Sequence, residues 1–188
     1  FDIVSGGELA RALKAGADPD KIIFSGVGKT RAEMTEALGV GIGCFNVESL
    51  AELDVLNEVA MGIGQRAPVS LRVNPDVDAK THPYISTGLK GNKFGIGHAD
   101  VVAAYEYAAA LDGLRVVGID CHIGSHIVDS APYLDVADRC RDLVQSVEAK
   151  GLPITPLDFA GGWGMAYAGT APQKPTALWA KRLPTLIP

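Results

Sequence analysis

Short apolar runs alternate along the chain with longer stretches in which apolar residues recur at helical spacing. The runs are mostly continuous, which is typical of parallel strands buried on both faces, and they cover residues 1–4, 22–24, 43–47, 69–73, 116–121 and 157–159. The stretches between them predict helices over residues 8–15, 31–38, 50–61, 101–111 and 133–150, and a last helix over 176–183. This alternation predicts an α/β fold with a parallel sheet.

Polar residues and glycines mark where the predicted helices begin and end. A Ser or Thr followed three residues later by Glu predicts a capped start for the first three helices, at Ser5 with Glu8, Thr30 with Glu33, and Ser49 with Glu52. Glycine often ends a helix because it adopts the left-handed backbone conformation at little cost. The sequence therefore predicts helix ends at Gly16, Gly39 and Gly151.

Two architectures accommodate six parallel strands with helices between them. One is an open, doubly wound sheet, and the other is a closed (β/α)8 barrel. A complete barrel takes about 250 residues, or about 31 for each strand–helix unit, so 188 residues hold about six of the eight units. The spacing of the runs is compatible with both architectures.

The connection after the fourth run differs from the others. Residues 74–98 show no clear periodicity, yet they include the apolar side chains of Tyr84, Ile85 and Phe94. A structureless connection of this length in a compact domain is usually either functional or disordered. The apolar side chains favour a functional loop over the carboxyl ends of the strands.

Composition and charge exclude several classes of protein. The net charge of −5 and the sequence pI of about 5.3 argue against a general binder of nucleic acid or of anionic membranes. No apolar run reaches the roughly 18 residues that a membrane-spanning helix needs. The three widely spaced cysteines do not form a disulfide framework and predict reduced thiols in the cytoplasm.

Polar residues gather where the apolar runs end. In both architectures the carboxyl ends of the strands form the functional edge, so we expect these residues to lie near one another. Helix capping is the favoured explanation for Ser5, Asn46 and Ser49. The full set is Asp2, Ser5, Ser25, Asn46, Glu48, Arg72, Asn74, His122, Ser125, Gly161 and Gly162.

His122 directly follows the fifth apolar run. An imidazole at a buried strand end can stack on a flat cofactor ring or transfer a proton, but it can equally be a hydrogen-bonded core histidine. The side chains of Cys121 and His122 are expected on opposite sides of the strand. We therefore predict no metal site here, and none elsewhere in the chain.

Two further features suggest the binding of an anion. Gly161 and Gly162 follow the last run, where glycine lets backbone N–H groups approach a phosphate closely. Arg72 lies inside an apolar run and therefore needs an anionic partner. Asp2 is a candidate for that partner, or it could hold a cofactor group. A purely structural ion pair between strands is the equal alternative for Arg72.

Taken together, these motifs resemble those of the diaminopimelate decarboxylases. The segments that carry the resemblance are FDIVSGGEL, IIFSGVGKT, CFNVES, LRVNPDVDAKTHPYISTGLKGNKFGI, VVGIDCHIGSH and LDFAGGWG, in that order. This family belongs to the pyridoxal-phosphate enzymes with an alanine racemase-like barrel. The resemblance covers the chain up to about Tyr167, and it favours a partial (β/α)8 barrel over the open sheet.

The resemblance implies a cofactor, a reaction and a set of site residues. The cofactor would be pyridoxal 5′-phosphate, and the reaction would convert meso-2,6-diaminopimelate to L-lysine and CO2. His122 would stack on the cofactor ring, and Ser125, Gly161 and Gly162 would bind the phosphate. Asp2 would lie near the amine end of the cofactor, Arg72 near its ring hydroxyl, and the loop over residues 74–95 would help to cover the substrate.

The resemblance also implies that parts of the enzyme lie outside this chain. We expect residues 1–188 to form a single incomplete barrel domain, without the first barrel strand with its Schiff-base lysine and without the C-terminal β domain. The isolated chain is therefore predicted to be inactive, and the full-length protein to be a cytoplasmic homodimer. The alternatives are a non-catalytic barrel of this type, a decarboxylase for another basic amino acid, and an unrelated phosphate-binding barrel enzyme.

Overall fold

The structure is a computed structural model of the chain. It describes residues 1–75, 94–127, 131–155, 157–159, 161–162 and 164. Most of the predicted loop, including His82, and the last predicted helix lie outside the described residues. So do Ala160 and Trp163, the neighbours of the glycine pair.

The described residues contain a parallel sheet and five helices. The strands are β1 (Asp2–Ile3), β2 (Ile23–Phe24), β3 (Cys44–Val47), β4 (Ala67–Asn74), β5 (Ile96–Gly97), β6 (Leu114–Asp120) and β7 (Leu157–Asp158). The helices are α1 (Gly6–Lys14), α2 (Arg31–Val40), α3 (Leu50–Gly62), α4 (Val101–Ala109) and α5 (Ala131–Glu148). All six predicted strands and the first five predicted helices are confirmed. Short 3-10 turns at Pro19–Lys21 and His98–Asp100 precede β2 and α4.

The order of the strands decides between the two architectures. The strands pair in the order β1-β2-β3-β4-β6-β7, all parallel, so each strand lies beside the one before it in this series. A doubly wound sheet would reverse this order at its switch point, whereas a barrel does not. The Asn46 side chain on β3 also reaches Asp158 on β7, three places along the sheet, at 3.1 Å. The sheet is therefore curved, as in a (β/α)8 barrel.

The two faces of the sheet differ in polarity. On β4, Val69, Leu71 and Val73 are buried in the apolar core, while Ser70 and Arg72 alternate with them on the other face. Phe24 and Phe45 stack within the core, with ring centroids 6.0 Å apart. The interior of a (β/α)8 barrel is usually filled by bulky branched side chains. The polar inner face is thus a departure that points to a ligand.

Strand β5 is absent from the sequence prediction. It pairs with the end of β4, where Val73 faces Ile96 and Asn74 faces Gly97. Gly95 precedes it with a φ of +77°, and a Cβ there would lie 2.9 Å from the Arg72 carbonyl oxygen. A two-residue strand is too short for a period to be visible in the sequence.

The predicted capped starts at Ser5, Thr30 and Ser49 are confirmed, whereas one predicted helix end needs a correction. Only Thr30 and Glu33 form the complete reciprocal cap, because Glu8 and Glu52 accept from the backbone N–H groups of Val4 and Glu48 instead. Gly39 lies inside α2 and does not end it. Gly41 is the C-cap, with a left-handed φ of +75°. Among the described helices, none is long and apolar enough to cross a membrane.

Candidate functional site

The site lies at the carboxyl ends of the strands, on the polar inner face of the sheet. One hydrogen-bonded series of side chains crosses this face. Ser25 Oγ donates to Asp2 Oδ1 at 2.6 Å, and the Asn46 side-chain amide donates to Ser25 Oγ and to Asp158 Oδ2, both at 3.1 Å. Asn46 is almost fully buried, so it is more than the helix-capping residue that the sequence suggested. It joins the first strands of the sheet to the last.

Arg72 is the cationic centre of the site. Its Nη1 pairs with Glu48 Oε1 at 2.7 Å, and its guanidinium lies 5.3 Å from the centre of the Phe94 ring. Both partners of the ion pair are largely buried, with side-chain exposures of 13% and 4%. The interpretation of Asp2 as the partner of Arg72 is therefore wrong. Glu48 follows β3, which neighbours β4, and reaches Arg72 more directly.

Asp120 is a buried carboxyl that the sequence analysis did not single out. It faces Arg72 across the β4–β6 pairing, and its Oδ1 has no hydrogen-bond partner among the described residues. Burial raises the pKa of Asp120 well above its ordinary value, and the neighbouring Asp158 raises it further. The sequence did contain a signal for Asp120: it is a carboxylate inside an apolar run, and it lies two residues before His122 and hence on the same face of the strand.

His122 is half-buried at the end of β6. Burial lowers its pKa, and the positive charge of Arg72 lowers it further, so the imidazole is kept neutral. Cys121 faces the opposite side, where its Sγ lies 3.0 Å from that of Cys140 on α5. The predicted divergence of Cys121 and His122 is therefore confirmed. The three cysteines are free thiols.

The glycine pair forms a tight turn against the segment that follows His122. Gly162 has a left-handed φ of +106°, and a Cβ there would lie 2.1 Å from the Gly124 carbonyl oxygen. The backbone N–H of Ile127 donates to the Gly162 carbonyl at 2.9 Å. The Tyr133 hydroxyl on α5 donates to the Gly161 carbonyl, also at 2.9 Å. Only glycine fits at residue 162.

The structure brings the predicted site residues to one edge of the sheet. His122 and Ser125 flank Gly124, which touches Gly162, and Arg72 lies on the strand beside β6. Asp2 is more distant along the sheet and joins the others through Ser25 and Asn46. The described residues contain no group of three or more His, Cys, Asp or Glu side chains placed to hold a metal ion.

Two features of these residues are typical of a ligand-binding site. The turn at Gly162 is so close to the Gly124 carbonyl that a side chain is excluded there. Buried polar atoms without a hydrogen-bond partner among the described residues lie on β3, β4 and β6, or directly after β3, namely Asn46 Oδ1, Glu48 Oε2, Ser70 Oγ and Asp120 Oδ1. Such atoms are rare in native proteins unless water or a ligand satisfies them.

The family model described as "pyridoxal-dependent decarboxylase, pyridoxal binding domain" matches residues 1–187. The chain belongs to this family. Diaminopimelate decarboxylase of Neisseria meningitidis serogroup B is 57% identical over 167 residues, which are 89% of this chain and 40% of that protein. The enzyme of the same name from Pseudomonas aeruginosa is 58% identical over 172 residues, 92% of this chain and 41% of that protein.

Solved structures agree with the barrel fold. The Helicobacter pylori diaminopimelate decarboxylase complexed with L-lysine superposes with a TM-score of 0.93 at 39% identity, over 99% of this chain and 47% of that chain. The diaminopimelate decarboxylase of M. jannaschii gives a TM-score of 0.88 at 36% identity, over 98% of this chain and 43% of that chain. The chain thus spans about two fifths of the length of the curated relatives it matches.

Proposed function

We propose that this chain forms the central part of the pyridoxal-phosphate site of a diaminopimelate decarboxylase, which converts meso-2,6-diaminopimelate to L-lysine and CO2. The close approach of Gly162 to Gly124 carries the proposal, because it brings the glycine pair near the segment that begins with His122. The identity of 55–58% to diaminopimelate decarboxylases of three species supports the choice of substrate.

Six residues would hold the cofactor. His122 would stack on its ring, while Ser125 and the backbone of Gly161 and Gly162 would bind its phosphate. Arg72 would face the ring hydroxyl, and Asp2 would lie near the reactive amine.

The surroundings of His122 and Arg72 support the roles proposed for these two residues. His122 presents an uncharged ring because burial and Arg72 lower its pKa. Arg72 is fixed by Glu48 and Phe94, so its remaining N–H groups have a defined direction. Pyridoxal phosphate, when bound, supplies the electron sink for loss of CO2. The protein's part is to bind and orient it.

A Schiff-base lysine is not evident among the described residues. Lys14 and Lys21 lie on α1 and on the 3-10 turn before β2, away from the strand ends, and Lys150 pairs with Glu106. Lys29 is fully buried and donates to three acceptors. We propose that the 188-residue chain by itself is inactive and that the complete gene product supplies the lysine. We also propose, from the family resemblance, that the complete product is a cytoplasmic homodimer.

Two alternatives have less support. Structures of a viral arginine decarboxylase and of a lysine decarboxylase are only 24% and 22% identical, which shows a shared fold alone. A non-catalytic barrel of this type has less support because the relatives at 55–58% identity are all named as decarboxylases.

The decisive experiment uses the complete gene product. We expect it to release CO2 from meso-2,6-diaminopimelate and to form L-lysine, and to act far more slowly on L-ornithine and L-arginine. Faster turnover of L-ornithine or L-arginine than of meso-2,6-diaminopimelate would favour a decarboxylase for another basic amino acid. Cofactor binding without turnover of any of the three would favour the non-catalytic barrel.

A second measurement tests the cofactor site directly. Replacing His122 with Gln removes the stacking ring, so we expect weaker binding of pyridoxal phosphate to the apo form of the complete gene product. His98→Gln is the matched control, because His98 is exposed on the 3-10 turn before α4. Equal affinities for the two variants would contradict the assigned role of His122.

A further inference from the structure

Lys29 is a buried ammonium that the proposed chemistry does not use. Its side chain is fully buried, yet it lies in the turn between β2 and α2. It donates to the carbonyl oxygens of Gly26 at 2.6 Å and of Asn46 at 2.7 Å, and to Glu52 Oε1 at 2.7 Å. A lysine has three donors, so all of its hydrogen-bonding capacity is used.

The contacts of Lys29 lead to the site by two short routes. Its bond to the Asn46 carbonyl holds the backbone of the residue whose side chain joins Ser25 to Asp158. Its bond to Glu52 holds a carboxylate whose other oxygen accepts from the backbone N–H of Glu48 at 2.9 Å. Glu48 in turn pairs with Arg72.

We infer that Lys29 is a positioning residue for the cofactor site, acting through Glu52 on Glu48 and so on the direction of Arg72. This inference rests on the proposed function, because Arg72 is assigned there to the cofactor. The segment after β3 has no other charged anchor among the described residues that meets both Asn46 and the first turn of α3. Without the ammonium, Glu52 loses its counter-ion, and the carboxylate of Glu48 loses its fixed place beside Arg72.

A double-mutant cycle on the complete gene product separates this role from general stabilisation. Lys29→Met and Glu48→Gln each deprive Arg72 of its fixed carboxylate partner. We expect each variant to bind pyridoxal phosphate about tenfold more weakly than the wild type. We also expect each to shift the pH at which the absorption band of the bound cofactor changes. Because both act through Arg72, the double variant should resemble the Glu48→Gln variant and should not show the product of the two effects.

Two further variants complete the design. Lys150→Met is the matched control, because it breaks a Lys–Glu pair of the same 2.7 Å length whose side chains are 49% and 50% exposed. It should leave both the cofactor affinity and the band unchanged. Lys29→Met leaves the Glu52 carboxylate buried without a counter-ion, so Lys29→Met combined with Glu52→Gln removes both charges and repeats the measurement in a stabler background.

Three outcomes distinguish the claims. A wild-type protein without any cofactor band overturns the proposed function and this inference with it. The inference alone is overturned if the wild type binds the cofactor normally and both variants that carry Lys29→Met keep its cofactor affinity and absorption band. Independent, multiplicative effects of Lys29→Met and Glu48→Gln also overturn it, because they would show that Lys29 acts by another route.

Discussion

At the scale of single residues, the site depends on the close packing of a glycine against a carbonyl group and on buried carboxyl groups. Gly162 is held against the Gly124 carbonyl in a backbone conformation that other residues adopt only with strain. Asp120 is a carboxyl kept from solvent beside another carboxyl, Asp158. Each feature predicts a measurable effect of substitution on the free energy of unfolding.

Replacing Gly162 with Ala should destabilise the complete gene product by about 3 kcal/mol, because the new Cβ collides with the Gly124 carbonyl and the left-handed φ is strained. It should also weaken cofactor binding, since the turn must shift. Gly161→Ala is the control for stability alone: a Cβ there meets nothing within 4 Å, and we expect the free energy of unfolding to change by about 0.5 kcal/mol or less. Chemical denaturation and cofactor titration measure both. Equal losses of stability in the two variants would contradict this account of the turn.

Asp120→Asn should change how stability depends on pH. The folded wild type keeps a proton on Asp120 at pH values where the unfolded chain, with a pKa near 3.8, has released it. Stability therefore falls as pH rises from about that value through the raised pKa of Asp120. Asparagine stays neutral, so the variant should gain stability relative to the wild type over this window. Denaturation at several pH values tests this, with the exposed Asp112→Asn as control. A difference that is constant with pH would contradict it.

Sequence reasoning identified candidate site residues that have local signals and did not identify those that depend on pairing across strands. His122, Gly161 and Gly162 follow directly from the end of an apolar run. The sequence offered Asp2 as one candidate partner of Arg72, because Asp2 and Glu48 are both carboxylates at strand ends and only the strand order selects Glu48. Asp120 was passed over because it lies within a run that otherwise predicts a core strand.

At the scale of elements, the helix ends show how finely the boundaries are set. Gly39 and Gly41 both follow the apolar positions of α2, and the sequence alone does not distinguish them. The helix continues through Gly39 and ends where Gly41 adopts the left-handed conformation.

Alanine substitutions at these two glycines should therefore have opposite effects. Gly39→Ala should stabilise the protein by about 0.5–1 kcal/mol, because alanine loses less backbone entropy within a helix. Gly41→Ala should destabilise it by about 1 kcal/mol, because the residue at this cap must adopt a positive φ. Neither Cβ would meet another atom within 4 Å, so the difference isolates backbone conformation. Thermal unfolding of both variants measures it, and shifts of the same sign would contradict the observed end of α2.

At the scale of the whole molecule, the apolar runs predicted six strands, but only the pairing order distinguished a barrel from an open sheet. Each run carried its own signal, whereas the curvature that brings Asn46 to Asp158 arises from the complete sheet. Strand β5 had no signal of its own, since its two residues pair with an edge that β4 provides.

Amide hydrogen exchange should differ between β4 and β5, because the two strands differ in the number of their pairing partners. Strand β4 has a parallel partner on each side, β3 and β6, and its alternate side chains are buried in the core. We expect the amides of residues 69–72 to be among the slowest to exchange in the complete gene product, and those of β5 to exchange much faster. Mass-spectrometric exchange on the apo form measures this. Equal protection of β4 and β5 would contradict the description of β5 as a short addition to the sheet.

The order of pairing has a consequence for how the chain is made. Because β2 adds to β1, β3 to β2 and β4 to β3, each new strand meets a partner that has already left the ribosome. No early strand has to wait for a distant one before it can pair, which keeps the entropy of loop closure low at each step. The partial barrel can therefore grow one strand–helix unit at a time during translation.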